Sequence, residues 1–595
     1  MKTEAMAKAR LHLQSIVLPP GTTNTPSKFL PGHFELDPPL MEPDEITLEQ
    51  ALAISASTTA DPALRTKIDN AVALEMTKTT TRFDTLRAIN AANPMEPDAW
   101  KIMSLMFIKF KRDGRVTARL AACGNQQKPG SFATTYASTS DHATHTIITA
   151  AYYADAIKQK TLPSLIHADF DVPGAFLQER LPRSATGGRQ LCLKLPANLP
   201  HPLAGRWCEV VGAIYGLKQS NAIFEAGFKS TMALAGFHPA HAPNYHDSSA
   251  PDASVYHYSD PTDPSIKCTV PMHVDDGQIL STSKTVVDHL RKTLETRYGP
   301  LTWNDVSTQH TGTTMTRHPS GAIDFGLPKH IIKTLHKLGM DKIPGASTPS
   351  DPNLFHASTD TTPTDQAQYQ GIVGYLTYIS RTRHDITKEV NTLAHKTQNP
   401  TRGDLRKAIR TLRYLKSSPN LPARYYTTEG AVLCGHVDVS HANQDDGTST
   451  TGLQGTIGST SAPFFSKVLR QRQVALDPCT AEYYGLTPIA KLMLRFRNLL
   501  EAIGFPQTSP TIIYVDNLPA LAIAISSNIP SKSRYIHAEH HFIRQCITDK
   551  SIALRQRNTN YHSPDLHTKS HGPTSHHFLT SILMNTRAPT ATIST

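Results

Sequence analysis

Four short runs of apolar and β-branched residues in this chain end in aspartate: "LIHADFD" (165–171), "CTVPMHVDD" (268–276), "AVLCGHVD" (431–438) and "PTIIYVD" (510–516). Runs of this composition read as strands, and an acid at the end of each sits where neighbouring strands can bring carboxylates together. Asp also favours turns for plain conformational reasons, so each run taken singly reads equally as a strand ending in a solvated turn. Taken together they constrain the chain to sheets whose strand tips carry acids. Repelling carboxylates gathered in one place call for cations, and oxygen-only ligation suits Mg²⁺.

At 595 residues the chain exceeds one core, and several domains are expected. Hydrophobic residues at 39% and charged residues at 18% describe a chain that mostly folds. The 60 Lys+Arg against 49 Asp+Glu leave a formal +11, which suits an anionic partner such as nucleic acid, or simply a basic protein. Seven Cys without a C-x-x-C argue for reduced, intracellular thiols and against a disulfide scaffold or a cysteine-based zinc site. Neither a signal peptide nor a membrane span is expected, so no membrane partner is. The expected location is intracellular and cytoplasmic, with access to the nucleus.

Residues 17–45 are rich in Pro and Thr and read as an extended arm, followed by helical patterning from "ITLEQALAISAS" into the 80s. From Trp100 the pattern turns to strands, with "RDGR" (112–115) as a hairpin turn. "STPSDPNLFHASTDTTPTD" (347–365) reads as a linker and "KSSPNLPARYYTTEG" (416–430) as a turn-rich junction. The expected organisation is an arm and helical lead-in at 1–94, a unit at 95–345, a linker and helical piece at 346–428, a mixed unit at 429–585 and a tail at 586–595.

Within the second unit, "SLIHADFDVPGAFLQE" carries Asp169 and Asp171, and "KCTVPMHVDDGQILSTS" reads as strand, acidic turn, strand with Asp275 and Asp276. A helix follows with Val287, Leu290 and Leu294 on a buried face. "DVPGAFL", "AIYGLKQS" and "HVDD", in this order, resemble the reverse transcriptase of copia-type retrotransposons, which shows D-V-x-x-A-F-L, Y-G-L-K-Q and Y-V-D-D. "FIKFKRDGRVTARLAACGNQ", "KHIIKTLHKLGM" and "YQGIVGYLTYISRTRHDITKEVNTLAHKTQNPT" extend the resemblance over residues 95 to 570. It implies that Asp171 and Asp275 hold two Mg²⁺ or Mn²⁺ ions, supported by Asp276, for in-line phosphoryl transfer. It also implies that Phe176 is a steric gate against a 2′-hydroxyl and that Gln219 touches the incoming nucleotide. Arg119 and backbone N–H groups near Gly174 and Ala175 are expected to meet its phosphates.

The 429–585 block repeats the pattern of spaced acids. Asp438 and Asp516 end strands, Glu482 falls early in a helix that Asp477 caps and Pro478 opens, and Asp565 comes late. This resembles the ribonuclease H that follows copia-type reverse transcriptase, with its S-D-A-D-W, S-T-E-A-E-Y, C-D-N-Q-S-A and A-D-I-L-T-K. The resemblance makes Asp438, Glu482, Asp516 and Asp565 the catalytic, metal-holding four of a nuclease acting on the RNA of RNA–DNA hybrids.

His537, His540 and His541 have helical zinc spacing but no H-E-x-x-H and no Cys pair, so they read as surface or packing residues. Departures from the family pattern are His273 before the V-D-D, Thr117, Ala222, Ser440 and His441. The expectation is an α+β multidomain protein: palm and fingers with a small thumb, a helical connection and an α/β ribonuclease H-like domain. Its activities are those of an RNA-directed DNA polymerase with ribonuclease H. Its partners are RNA template, DNA primer, RNA–DNA hybrid, dNTPs and other products of the retroelement polyprotein. The rival is a degenerate or domesticated copy that binds nucleic acid without catalysis.

Overall fold

The computed structural model of the chain describes residues 46–56, 63–111, 114–240, 253–350, 360–444, 446–526 and 541–586. These form an α+β structure of four sheets and thirteen α-helices. Residues 1–45, which carry the expected arm, lie outside the described residues.

The first sheet runs β1 (Ile46–Thr47), β3 (Trp100–Phe110), β6 (Leu191–Lys194), β7 (Trp207–Val210) and β2 (Leu86–Ala88), with β4 (Val116–Ala122) on β3. In β3 the period-2 pattern turns Ile102, Ser104, Met106 and Ile108 inward. The β3–β4 hairpin forms as expected, Phe110 opposite Val116, although Arg112 and Asp113 of its turn lie outside the described residues. Helices α1 (Leu48–Ser55) and α2 (Leu64–Thr77) share this sheet's core through Leu48, Ile68, Val72 and Met76. The break expected at residue 94 is therefore not a break in packing. Ile46 pairs with Ile108, and buried Glu75 accepts the Leu120 N–H at 3.2 Å, so the helical lead-in belongs to the sheet that follows it.

The second sheet is antiparallel throughout, in the order β12 (Thr302–Asn304), β5 (Ile166–Asp171), β11 (Asp276–Ser281), β10 (Lys267–His273), β9 (Val255–Ser259) and β8 (His238–Pro239). On one face Phe170, Val270 and Ile279 pack against Phe224 and Phe228 of α4 (Ser220–Leu234) and against α5 (Lys284–Tyr298), which buries Val287, Leu290 and Leu294. The helix α3 (His142–Gln159), capped by Asp141, covers the other face. Its residues share a core with Phe464, Phe496 and Phe505 near the C-terminus, so it is buried nearly all round.

The third sheet joins β13 (Gln309–His310), β14 (Thr313–Arg317) and β15 (Ile323–Gly326) to β16 (Ala423–Tyr425). The stretch expected as a junction thus supplies a strand, held by an Arg424–Asp324 ion pair at 2.8 Å. Helices α6 (Pro328–Lys337), α7 (Gln366–Ser380), α8 (Thr387–Ala394) and α9 (Arg402–Ser417) enclose a separate core around Ile331, Leu376 and Leu412. The start of the expected linker is packed: Thr348 and Ser350 are buried, and Arg410 of α9 donates to the Thr348 hydroxyl at 3.0 Å. Residues 351–359 lie outside the described residues.

The fourth sheet is mixed, in the order β19 (Pro463–Arg470), β18 (Thr450–Ile457), β17 (Leu433–Ser440), β20 (Thr511–Val515) and β21 (Ile552–Gln556). The β17–β18–β19 meander is antiparallel, whereas β17, β20 and β21 run parallel. β18 is buried at every position, as a strand covered on both faces must be. Helices α10 (Pro478–Ala502), α11 (Leu518–Ile525), α12 (His541–Thr548) and α13 (Pro573–Leu583) complete this part. Asp477 caps α10 by accepting the Thr480 N–H at 2.9 Å, with Pro478 in the first turn. All seven cysteines are free thiols. Among the described residues no helix is long and apolar enough to cross a membrane.

Candidate active sites: two carboxylate clusters

The first cluster is a product of register. Asp171, the last residue of β5, lies opposite Asp276, the first of β11. The β10–β11 hairpin closes through Val274 and Asp275, and the Asp275 carbonyl accepts the Val172 N–H at 3.2 Å, tying the two strand ends together. Val274 holds a φ of 63°. A β-branched residue there is strained by about 1–3 kcal/mol, a cost found most often where geometry is functional. Gly277 lets the strands close, because a Cβ would stand 2.5 Å from the Phe170 ring and 2.7 Å from Met272 Sδ.

The carboxyl of Asp171 is pushed up to about 6, by desolvation first and then by repulsion from Asp275 and Asp276, while Arg119 pulls it back. Asp275 is raised for the same leading reason. Asp169 is apart from this group: it is buried, and Asn304 Nδ2 donates to it at 2.5 Å. Arg119 is exposed on β4, its guanidinium 4.4 Å over the Tyr215 ring. Tyr215 in turn meets Phe176 edge-on at 5.4 Å, and Phe176 meets Phe224 at 6.1 Å. Gly174 (φ 68°) opens the short turn that carries Phe176. The Ala175 N–H, expected to be free for phosphate, donates to the Val172 carbonyl at 3.2 Å within that turn. Gln219 is buried. Its Oε1 accepts from Gln127 at 3.0 Å, and its Nε2 has no partner.

Beneath the carboxylates lies a polar layer that the motif reading missed. His310 Nδ1 stands 3.4 Å from Asp276, and its ring packs 4.2 Å from that of His145. Gln278 bridges His145 at 3.4 Å and His167 at 2.7 Å. Burial holds both His145 and His167 far below the usual imidazole range, hence neutral. The signal was present: His167, Asp169 and Asp171 alternate along β5, so one face is polar, buried at His167 and Asp169 and exposed at Asp171.

The second cluster sits on the fourth sheet. Asp438 on β17 and Asp516, just beyond the end of parallel β20, lie together, and both act on the carboxyl of Glu482 in α10. Gly485, one helical turn after Glu482, permits this approach: a Cβ there would stand 2.8 Å from Val439 and 3.1 Å from Val437. Glu482 Oε1 accepts the Val439 N–H at 3.2 Å, while Oε2 is buried without a partner. Its carboxyl is pushed up to about 9 by burial, then by Asp438 and Asp516. Asp438, 1% exposed, is raised by burial too and accepts from the Thr568 hydroxyl. Asp565 is differently placed. Lys569 and His571 (3.1 Å) hold its carboxylate below the usual range, and Lys569 also reaches Asp438 at 3.8 Å.

Donor atoms of Asp438, Asp516 and His562 lie within 4.8 Å of one another, a spacing a single cation spans. The orphaned Glu482 oxygen beside them also fits a cation-dependent site. His562 was not among the expected residues, and no motif marks it. Of the histidines expected as surface or packing residues, His537 and His540 lie outside the described residues, and His541 is exposed at the start of α12. His273 is exposed at the end of β10, Ala222 is buried in α4, and His441 contacts the Ala475 carbonyl at 3.0 Å.

No protein-family model matches the chain. Curated relatives do, and several of them are retrovirus-related Pol polyproteins of transposons. The retrovirus-related Pol polyprotein from transposon RE1 of Arabidopsis thaliana is 26% identical over 489 residues, 81% of this chain and 31% of that protein. That from transposon TNT 1-94 of Nicotiana tabacum is 26% identical over 251 residues, 40% of this chain and 18% of that protein. The transposon Ty5-1 protein of Saccharomyces cerevisiae is 24% identical over 284 residues, 46% of this chain and 86% of that protein. The chain is a homologue of the Pol polyproteins of copia-type retrotransposons. It spans about a third of the length of the RE1 and RE2 polyproteins it matches.

Proposed function

We propose that the chain is the RNA-directed DNA polymerase and ribonuclease H part of a copia-type Pol polyprotein, acting on RNA template, DNA primer and dNTPs and on the resulting hybrid. The observation that carries this reading is the pair of carboxylate clusters at strand ends of two different sheets. Asp171 in the first and Glu482 in the second are raised in pKa by burial and then by neighbouring carboxylates, and both clusters lie in a homologue of Pol polyproteins. In this reading the first sheet serves as fingers, the second as palm, residues 309–425 as thumb and connection, and the fourth sheet with its helices as the nuclease.

Asp171 and Asp275 would hold Mg²⁺ or Mn²⁺, with Asp276 beside them, and that metal supplies Lewis acidity and charge neutralisation for phosphoryl transfer. The primer 3′-hydroxyl attacks the α-phosphate of the dNTP and pyrophosphate leaves. Arg119, exposed and held over Tyr215, offers the triphosphate a guanidinium, whereas Gln219 is buried against Gln127 and would reach a nucleotide only by moving. Phe176, braced between Tyr215 and Phe224, stands firm enough to exclude a 2′-hydroxyl. In the nuclease, Asp438, Glu482 and Asp516 gather the charge that a cation requires. Lys569 keeps Asp565 ionised and close to Asp438.

The test is primer extension on an RNA template by the purified chain, with Mg²⁺ and with Mn²⁺. Extension that is lost in Asp275→Asn supports the polymerase. A folded chain that binds hybrid in a salt-dependent way but never extends it is a non-catalytic copy instead.

A further inference from the structure

We propose that His562 is a metal ligand through Nδ1, making Asp438–Asp516–His562 a nitrogen-containing site that prefers transition-metal dications over Mg²⁺. His562 is fully buried (0% exposed), in the short helical turn that leads into Asp565. Its Nε2 lies 2.7 Å from the Val437 carbonyl oxygen. A carbonyl only accepts, so Nε2 carries the proton, and a neutral ring presents its lone pair at Nδ1. Nδ1 is buried and has no hydrogen-bond partner. An orphaned lone pair in a dry site is costly unless something outside the protein meets it. A ring nitrogen of His562 and one carboxylate oxygen each from Asp438 and Asp516 lie within 4.8 Å of one another. With Nε2 engaged by the Val437 carbonyl, Nδ1 is the nitrogen left to share a cation with them.

The Nε2–H to carbonyl bond is the arrangement that orients an imidazole ligand on a metal, and here the carbonyl belongs to the residue next to Asp438. One strand therefore sets both the carboxylate and the ring. Imidazole favours Mn²⁺, Co²⁺ and Zn²⁺ over Mg²⁺, which binds through oxygen and dehydrates reluctantly. The first cluster is built on three aspartates; His310 Nδ1 stands 3.4 Å from Asp276, but among the described residues only Asp438, Asp516 and His562 bring three ligand atoms within 4.8 Å. The two centres of this chain then differ in metal preference.

This inference rests on the second cluster being a metal-dependent nuclease, so binding and cleavage are read separately. The full chain would carry Asp171→Asn and Asp275→Asn to silence the first cluster, with Mn²⁺ alone as probe. Electron-spin-echo spectroscopy should show nitrogen coupling from a directly bound imidazole, and His562→Gln should abolish it. Mn²⁺ affinity should fall by at least roughly tenfold in His562→Gln while Mg²⁺ affinity changes little. Should that variant fail to fold, the echo spectrum of the His562-containing chain, with and without Asp438→Asn, decides alone. Mn²⁺ bound in an Asp438-dependent way without nitrogen coupling overturns the proposal, as does no Mn²⁺ binding. Nitrogen coupling without hybrid cleavage keeps His562 as a ligand and removes the nuclease.

Discussion

Replacing Glu482 by Gln should stabilise the metal-free protein at neutral pH, and by an amount the site itself sets. The ordinary glutamate value is 4.5, and in the folded chain burial beside Asp438 and Asp516 pushes it up to about 9. Between those values the folded state binds a proton that the unfolded state has released, so stability falls as pH rises through that window. From 4.5 to 7 the loss is about 3 kcal/mol, and at pH 5 it is under about 1 kcal/mol. Sharing of the proton with Asp438 makes the figure at pH 7 an upper one, with about 1–3 kcal/mol the working range. Gln keeps the acceptor that meets the Val439 N–H at 3.2 Å and carries no charge. The assay is urea unfolding in EDTA, followed by hydrogen exchange in peptides from β17 and β18, for both proteins at pH 5 and pH 7. A variant no more stable than the parent at pH 7, or an advantage that does not shrink toward pH 5, would refute the electrostatic reading.

Gly485→Ala forces a methyl against Val437 and Val439, which should cost about 1–3 kcal/mol and displace Glu482. Hybrid cleavage should fall well below that of the parent while primer extension persists, and paired assays on one preparation check this. Arg383→Ala breaks a pair buried at 1% and 0% exposure and leaves the buried Asp385 carboxylate with the Tyr414 hydroxyl but no counter-charge, so urea unfolding should show a loss of about 3–5 kcal/mol. Gly277→Ala drives a methyl into the Phe170 ring beside Asp276, and extension should drop while hybrid cleavage is unaffected.

Most of what lies near the acids was legible because strand ends are local. Period-2 alternation and the turn-forming Asp275–Asp276 give the hairpin, and the Asp477–Pro478 pair gives the start of α10. What escaped was long-range. Nothing local tells that α1 and α2 close the first sheet, or that residues 423–425 clip onto β15; both follow from pairings with strands far along the chain. His562 escaped for the same reason. Its role depends on Val437, 125 residues earlier, and spacing within its own segment carries no trace of it. At Ala175, one of the backbone N–H groups expected to meet phosphate, the turn itself uses the N–H, a local detail that the motif does not show.

The most direct test of the account crosses two single substitutions with two activities in the full chain. Primer extension on RNA and cleavage of an RNA–DNA hybrid would be measured, with Mg²⁺ and with Mn²⁺, for the parent, Asp171→Asn and Asp438→Asn. The account predicts that Asp171→Asn abolishes extension and leaves cleavage, and that Asp438→Asn does the reverse. Loss of both activities in either folded variant, or neither activity in the parent, would contradict two independent carboxylate centres.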